Sequence, residues 1–126
     1  MMTKGRGADL AARTKRFAIA IIRLYARLPK STEAQVVGRQ VLRSGTSVGA
    51  QYREAIRAKS LADFVSKIEG ALQELEETQY WLELMIEAKV VADSEYVNPL
   101  IEEADELTAI LVSSVRTAKR GNVRAS

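Results

Sequence analysis

Apolar residues recur along most of this chain at spacings of three and four, the period of an α-helix with one buried face. Leu10, Phe17, Ile21, Leu24 and Leu28 make the first such stripe, and Ala18, Ile22 and Tyr25 widen it. Asp9 suits the N-cap of this helix, and Pro29 stops it at the preceding residue. A second helix opens at Thr32, with Gln35 three residues on as a capping box, and runs to about Lys59. A third opens at Ser60, with Asp63 placed to back-cap it. Its stripe is Phe64, Ile68, Ala71, Leu72, Leu75, Leu82, Met85 and Ile86. Residues 92–97 read as a polar turn. A fourth helix starts with Asn98 as N-cap and Pro99 behind it, and buries Leu100, Ile101, Leu107, Ile110, Leu111 and Val115. Short connections force neighbouring helices to run antiparallel. The pattern predicts an all-α, up-down-up-down antiparallel four-helix bundle over residues 9–118. A disordered N-terminus at 1–8 and a basic disordered tail at 119–126 are expected to flank it.

Gly38, Gly45 and Gly49 interrupt the second helix. A mid-helix glycine costs about 1 kcal/mol relative to alanine, so three of them need a reason. On a helical wheel they fall within about 40° of one another, beside Val41, Tyr52 and Ile56. Close approach of another helix explains that placement. A kink near Ser44–Gly45 is the other reading.

Composition narrows the chemistry. The 126 residues fit one domain, and they include neither Cys nor His. Disulfides and thiolate metal sites are thereby excluded, and the commonest metal ligand and general base is missing. Carboxylates are plentiful on the third helix: Glu69, Glu74, Glu76, Glu77, Glu83 and Glu87. Di-metal centres in bundles pair such residues with Glu-x-x-His motifs, which this chain cannot supply. Glu76 and Glu77 are chain neighbours and do not face each other on a helix. Gly45–Gly49 has no following Lys and follows no strand, so it is not a phosphate loop. No catalytic residue, metal site or cofactor is assigned, and an enzyme is not expected. No apolar run approaches the ~20 residues that span a bilayer. The N-terminus lacks an apolar signal core, so no membrane partner and a cytoplasmic location are expected.

The formal net charge is +3, but it is unevenly spread. Residues 1–60 hold 13 Lys/Arg against 3 Asp/Glu, residues 61–112 hold 2 against 13, and residues 113–126 hold 4 against none. Such asymmetry points to nucleic acid or to contact between unlike subunit faces. Attraction between the two halves within one bundle also accounts for it. Arg39, Arg43, Arg53 and Arg57 lie along one line of the second helix, with Thr46 and Ala50 between them. Guanidinium groups so placed suit bidentate phosphate contacts. Arg16, Arg23 and Arg27 form a stripe on the first helix, and a groove between the two stripes would be an anion track. A plain solvated face fits the same stripes.

Beside the arginines runs a polar line of Gln40, Ser44, Ser47, Gln51 and Glu54, expected to hydrogen-bond across a subunit boundary. The third helix carries a matching stripe of Asp63, Lys67, Gly70, Glu74, Glu77 and Trp81. Trp81 falls between core and acidic edge, where an indole N–H finds a partner at an interface. The glycine-bearing helix, the wide first stripe and the displaced Trp favour self-association. Gly45, Gly49, Tyr52, Glu54, Glu74 and Trp81 are the expected interface residues. A thick monomeric core is the alternative.

The run Leu42, Arg43, Ser44, Gly45, Thr46, Ser47, Val48, Gly49, followed by Tyr52, Arg53, Glu54 and Ala55, is distinctive. So are Ser60, Asp63 and Phe64, and the segment Leu72, Glu74, Leu75, Glu77, Thr78, Tyr80, Trp81 and Leu82. Over roughly residues 15–115 the chain resembles the bacterial four helix bundle protein family, also called the 23S ribosomal RNA intervening-sequence protein family. Gln51 departs from the pattern, which has Asn there. The resemblance implies an up-down bundle assembled as a ring-like homopentamer, with some members encoded inside insertions in 23S ribosomal RNA genes. It also implies kinship with accessory proteins of diversity-generating retroelements, whose pentamer binds nucleic acid and a reverse transcriptase. It carries over no catalytic residue, and Arg43 and Glu54 match its motif best. The partners to expect are further copies of the chain, RNA or DNA, and a protein partner. Two readings result: a non-catalytic oligomer that binds nucleic acid, RNA foremost, or a structural adaptor whose charges serve ring assembly.

Overall fold

The structure is a computed structural model that describes the backbone of residues 4–125 and the side chains of residues 9–121. It contains α1 (Lys4–Arg27), α2 (Thr32–Ile56), α3 (Leu61–Glu87) and α4 (Asn98–Ala125), with a 3-10 turn at Ser94–Tyr96 before α4. The helices are 24 to 28 residues long, or roughly 36–42 Å at 1.5 Å per residue. Helices α1 and α4 reach further than their sequence signals imply. Asp9 lies inside α1, and helix covers 4–8 and 119–125 where disorder is expected. No Pro stands at those positions. A helix already nucleated gains a hydrogen bond for each residue it adds. The disorder expected at residues 1–3 and 126 lies outside the described residues.

Local chemistry sets the other ends. Ser31 caps α2, its hydroxyl accepting from Ala34 N–H. The cap is therefore one residue earlier than the Thr32–Gln35 box. Gln35 instead donates to Pro29 O at 2.9 Å and accepts from Tyr25 Oη at 3.1 Å, tying the first turn of α2 to the end of α1. Ser60 caps α3 as expected, accepting from Asp63 N–H at 3.0 Å. The end of α3 is a Schellman turn. Lys89 takes the left-handed φ of 56°, and its N–H and that of Val90 donate to Ile86 O and Met85 O. Asn98 is already helical, and Val97 O accepts from both Leu100 and Ile101 N–H, so Val97 holds the cap position.

Contacts along the helices show that neighbours run antiparallel. Between α1 and α2, Leu28 and Tyr25 approach Gly38, Ile21 approaches Gly45, and Thr14 approaches Gly49. Between α2 and α3, Glu54 meets Lys67, Gln51 lies against Gly70, and Arg43 meets Glu74 and Glu77. Arg13 meets Glu103 and Arg27 meets Tyr96, which closes α1 against α4. The architecture is an all-α up-down four-helix bundle. Phe17, Ile21, Val48, Tyr52, Ile68, Leu75, Leu82 and Leu107 are among its fully buried side chains, each worth ~1.5–3 kcal/mol on burial for the larger aliphatics. Ile22 does not widen the buried stripe of α1; it is half exposed.

The glycines of α2 admit α1 at close range, and α2 runs unbroken past Ser44–Gly45. The close partner belongs to the same chain. Gly45, Gly49 and Tyr52 are buried inside the bundle and are not surface positions on which a second copy could sit.

Candidate nucleic-acid interface

The arginines of α2 divide once their neighbours are in place. Arg43 leans toward α3, where its guanidinium donates to Glu74 Oε2 at 3.3 Å and Glu77 Oε2 at 3.5 Å. Arg53 leans the other way and lines a shallow groove between α1 and α2 with Lys15, Thr46 and Ala50. Arg39 and Arg57 remain on the outward face, the latter at the C-cap of α2. Arg39, Arg53 and Arg57 are exposed and have no ion pair among the described residues. They span 18 positions, or roughly 27 Å along the helix. The hydroxyls beside them are satisfied within the helix: Thr46 donates to Leu42 O and Ser47 to Arg43 O, each at 2.7 Å. Between Arg39 and Arg53 the line therefore holds the paired Arg43, Thr46 and Ala50.

Glu54, Gln51 and Ser44 of the polar line beside the arginines meet α3 of the same chain. Glu54 pairs with Lys67 at 3.4 Å, and the Gln51 amide packs on Gly70. Ser44 and Thr78 are fully buried and share a 2.8 Å hydrogen bond. Ser44 donates to Gln40 O, which leaves its oxygen free to accept from Thr78. The two stripes that match in sequence therefore zip one chain together. Some of the charges on these two helices are engaged internally, Arg43 with Glu74 and Glu77 and Glu54 with Lys67. Trp81 also differs from expectation. Its ring is half-buried, and Nε1 is fully buried with no hydrogen-bond partner among the described residues.

Arg16, Arg23 and Arg27 do not share a groove with α2. They line a cleft of about 610 Å³ on the other side of α1, against the start of α4. Arg27 lies 4.1 Å above the ring of Tyr96. The fold thus produces two cationic regions separated by α1, where the sequence pattern suggests one. Tyr96 lies in a turn without periodicity, so nothing in the sequence singles it out.

Arg13, equally inconspicuous in the sequence, makes the best-formed ion pair. Its Nε and one terminal nitrogen donate to Glu103 Oε2 and Oε1, both at 2.7 Å, with Glu106 at 3.3 Å. Both partners are about a quarter exposed. The Arg13 hydrogen bonds hold the Glu103 carboxyl below its ordinary range, with the charge of Arg16 adding to the effect and burial opposing it. A depressed carboxylate contributes stability that is present above its unfolded value and lost as pH falls through the folded one. Glu103→Gln is therefore expected to cost about 1–2 kcal/mol at neutral pH, between exposed and buried pairs. The gap from wild type should close as pH drops below ~4.3. Urea unfolding at pH 7 and pH 3 checks this, and a gap that does not change with pH would refute it.

Among the described residues no group of three or more His, Cys, Asp or Glu could hold a metal ion, and none of their helices is long and apolar enough to cross a membrane. What results is a four-helix bundle with cationic surfaces on either side of α1. The chain belongs to the 23S rRNA-intervening sequence protein family, whose model matches residues 8–113. It is similar to a protein of unknown function from the S23 ribosomal protein family of Bacteroides thetaiotaomicron, whose structure superposes with a TM-score of 0.80. The two are 36% identical over 87% of this chain and 97% of that one. Both matches name the ribosomal side of the resemblance, and neither names a retroelement. No curated protein matches the chain.

Proposed function

We propose that this protein is a homo-oligomeric, cytoplasmic RNA-binding protein that holds the sugar-phosphate backbone on the outward face of α2. One observation carries the reading: Arg39 and Arg57 on the outward face of α2, and Arg53 beside them at the α1–α2 groove with Lys15, are exposed and paired with no carboxylate among the described residues. Guanidinium groups free of internal partners are the ones available to phosphate oxygens. The family's name favours RNA as the polymer. The oligomeric part rests on the resemblance, which implies a homopentameric ring. Ile22, Val36 and Tyr80, each about half exposed, offer apolar area for an interface between copies. A ring repeats the cationic strip once per subunit, which turns weak single contacts into avid binding.

Filter binding of a 23S ribosomal RNA fragment across a salt series tests the first part. Three or four phosphate contacts by Arg39, Arg53, Arg57 and Lys15 give a log–log slope of roughly −2 to −3. Salt-insensitive binding, or none at low salt, would sink it. Light scattering tests the second: a mass five times that of the chain is expected, and a monomer would remove the ring.

A further inference from the structure

The cleft between α1 and α4 has a chemistry that a phosphate track does not require. One wall is the Arg16, Arg23 and Arg27 stripe, at i, i+7 and i+11 on one face of α1 and spanning roughly 16 Å. None of the three has an ion pair among the described residues. Glu95 is the one acidic residue on the cleft lining. Glu103 lies close enough for Arg16 to act on its charge, but its oxygens are held by Arg13. The cleft as a whole is therefore cationic. Its floor is apolar, built from the buried Leu24 and Leu100. At its upper end the Arg27 guanidinium lies over the ring of Tyr96, while Arg27 itself is exposed. A guanidinium plane stacked on one side offers the other side to a second flat π-system. The volume, about 610 Å³, is within the ~300–1,000 Å³ range of small-ligand sites.

These features select a ligand by elimination. An inorganic anion uses the arginines but gains nothing from the apolar floor. An acyl chain uses the floor but not the stacked guanidinium. A nucleotide inside a duplex presents phosphate while its base faces are covered by its neighbours. An unpaired nucleotide presents both. We infer that the α1–α4 cleft clamps one unpaired nucleotide of a bound RNA, with its base stacked on Arg27–Tyr96 above Leu24 and Leu100 and its flanking phosphates on Arg16 and Arg23. The clamp builds on the RNA-binding reading above and adds a preference for single-stranded or bulged segments. It lies on the side of α1 away from the α2 strip, so the two surfaces can be separated by substitution.

The test uses the full chain and one RNA sequence carrying 2-aminopurine at its centre, presented single-stranded and again as a duplex. The single strand is expected to give a saturable change in 2-aminopurine fluorescence, and the duplex none. Arg27→Ala is expected to weaken single-strand binding about tenfold, the size of one base-stacking interaction, while duplex affinity stays within about twofold, being carried by α2. Arg23→Ala should weaken the single strand alone as well. Arg27 is exposed and outside the core, so these variants fold; Tyr96→Leu is added with its thermal unfolding recorded beside it. If neither RNA binds, the functional proposal fails. If both bind alike and Arg27→Ala affects neither or both equally, the clamp fails and the functional proposal stands. Displacement of the single strand by free adenosine monophosphate at equal molar concentration overturns the RNA clamp in favour of a soluble nucleotide.

Discussion

A chain carrying Arg39→Glu, Arg53→Glu and Arg57→Glu is expected to bind single-stranded RNA about 100-fold more weakly at ~0.1 M salt. Every phosphate that goes unneutralised takes roughly 0.7 off the salt slope, and three together remove about two decades of affinity under that condition. The reversed charges add repulsion, and a ring would compound the loss. Arg43→Gln is the control. Its guanidinium is engaged with Glu74 and Glu77, so affinity should change by less than about twofold. Stability should fall by no more than ~1 kcal/mol, as for exposed pairs. Filter binding gives the affinity, and light scattering confirms that each variant keeps its mass. If Arg43→Gln weakens binding as much as the triple variant does, phosphate binding does not follow the outward face of α2. If the triple variant binds normally, the cationic strip is a solvated face.

The contrast between Arg43 and its three neighbours marks where sequence reading succeeds and where it stops. Periodicity gives each helix its buried stripe, so Leu10, Phe17, Ile21, Leu24 and Leu28 are core both in pattern and in fact. Caps and turns are local, so Ser60 caps α3 where the sequence places it. A helical wheel, however, shows one helix at a time. It places Arg39, Arg43, Arg53 and Arg57 on one line, but not the carboxylates that reach one of the four. It also shows that the Gln40–Glu54 line and the Asp63–Trp81 stripe complement each other. It cannot show that the complement is satisfied within one chain, because antiparallel α2 and α3 bring residues such as Glu54 and Lys67 together across a short turn. Arg13–Glu103 is harder still, since its partners are 90 residues apart. The α1–α4 cleft needs the later half of α1 and the start of α4 to be adjacent before Tyr96 means anything.

At Gly45 the bundle leaves almost no room for a side chain. A Cβ on Gly45 would lie 2.8 Å from Ile21 Cγ1, 3.0 Å from Cγ2 and 3.1 Å from Cδ1. Ile21 is fully buried, and its β-branched χ1 is nearly fixed in a helix, so it cannot swing aside. Gly45→Leu must push α1 away from α2, and is expected to cost more than about 3 kcal/mol, beyond the usual overpacking range. Against a total of ~5–15 kcal/mol that is a large share. Gly45→Ala is gentler, because overpacking of ~1–3 kcal/mol is offset by about 1 kcal/mol of helix propensity. Ile21→Ala removes all three crowding atoms. Alone it should cost ~2–5 kcal/mol; beside Gly45→Ala it should cost about 1–2 kcal/mol less, since the two share one space. Urea unfolding of the four chains in this cycle measures the coupling. A kink requirement at Gly45 would give none, because trimming Ile21 does nothing for a bent backbone. A subunit boundary at Gly45 would instead show as a changed mass in light scattering, with little change in how the bundle melts. Favourable coupling at unchanged mass means that the glycine line of α2 serves α1 of its own chain, leaving the outward arginines as the part of the helix that faces partners.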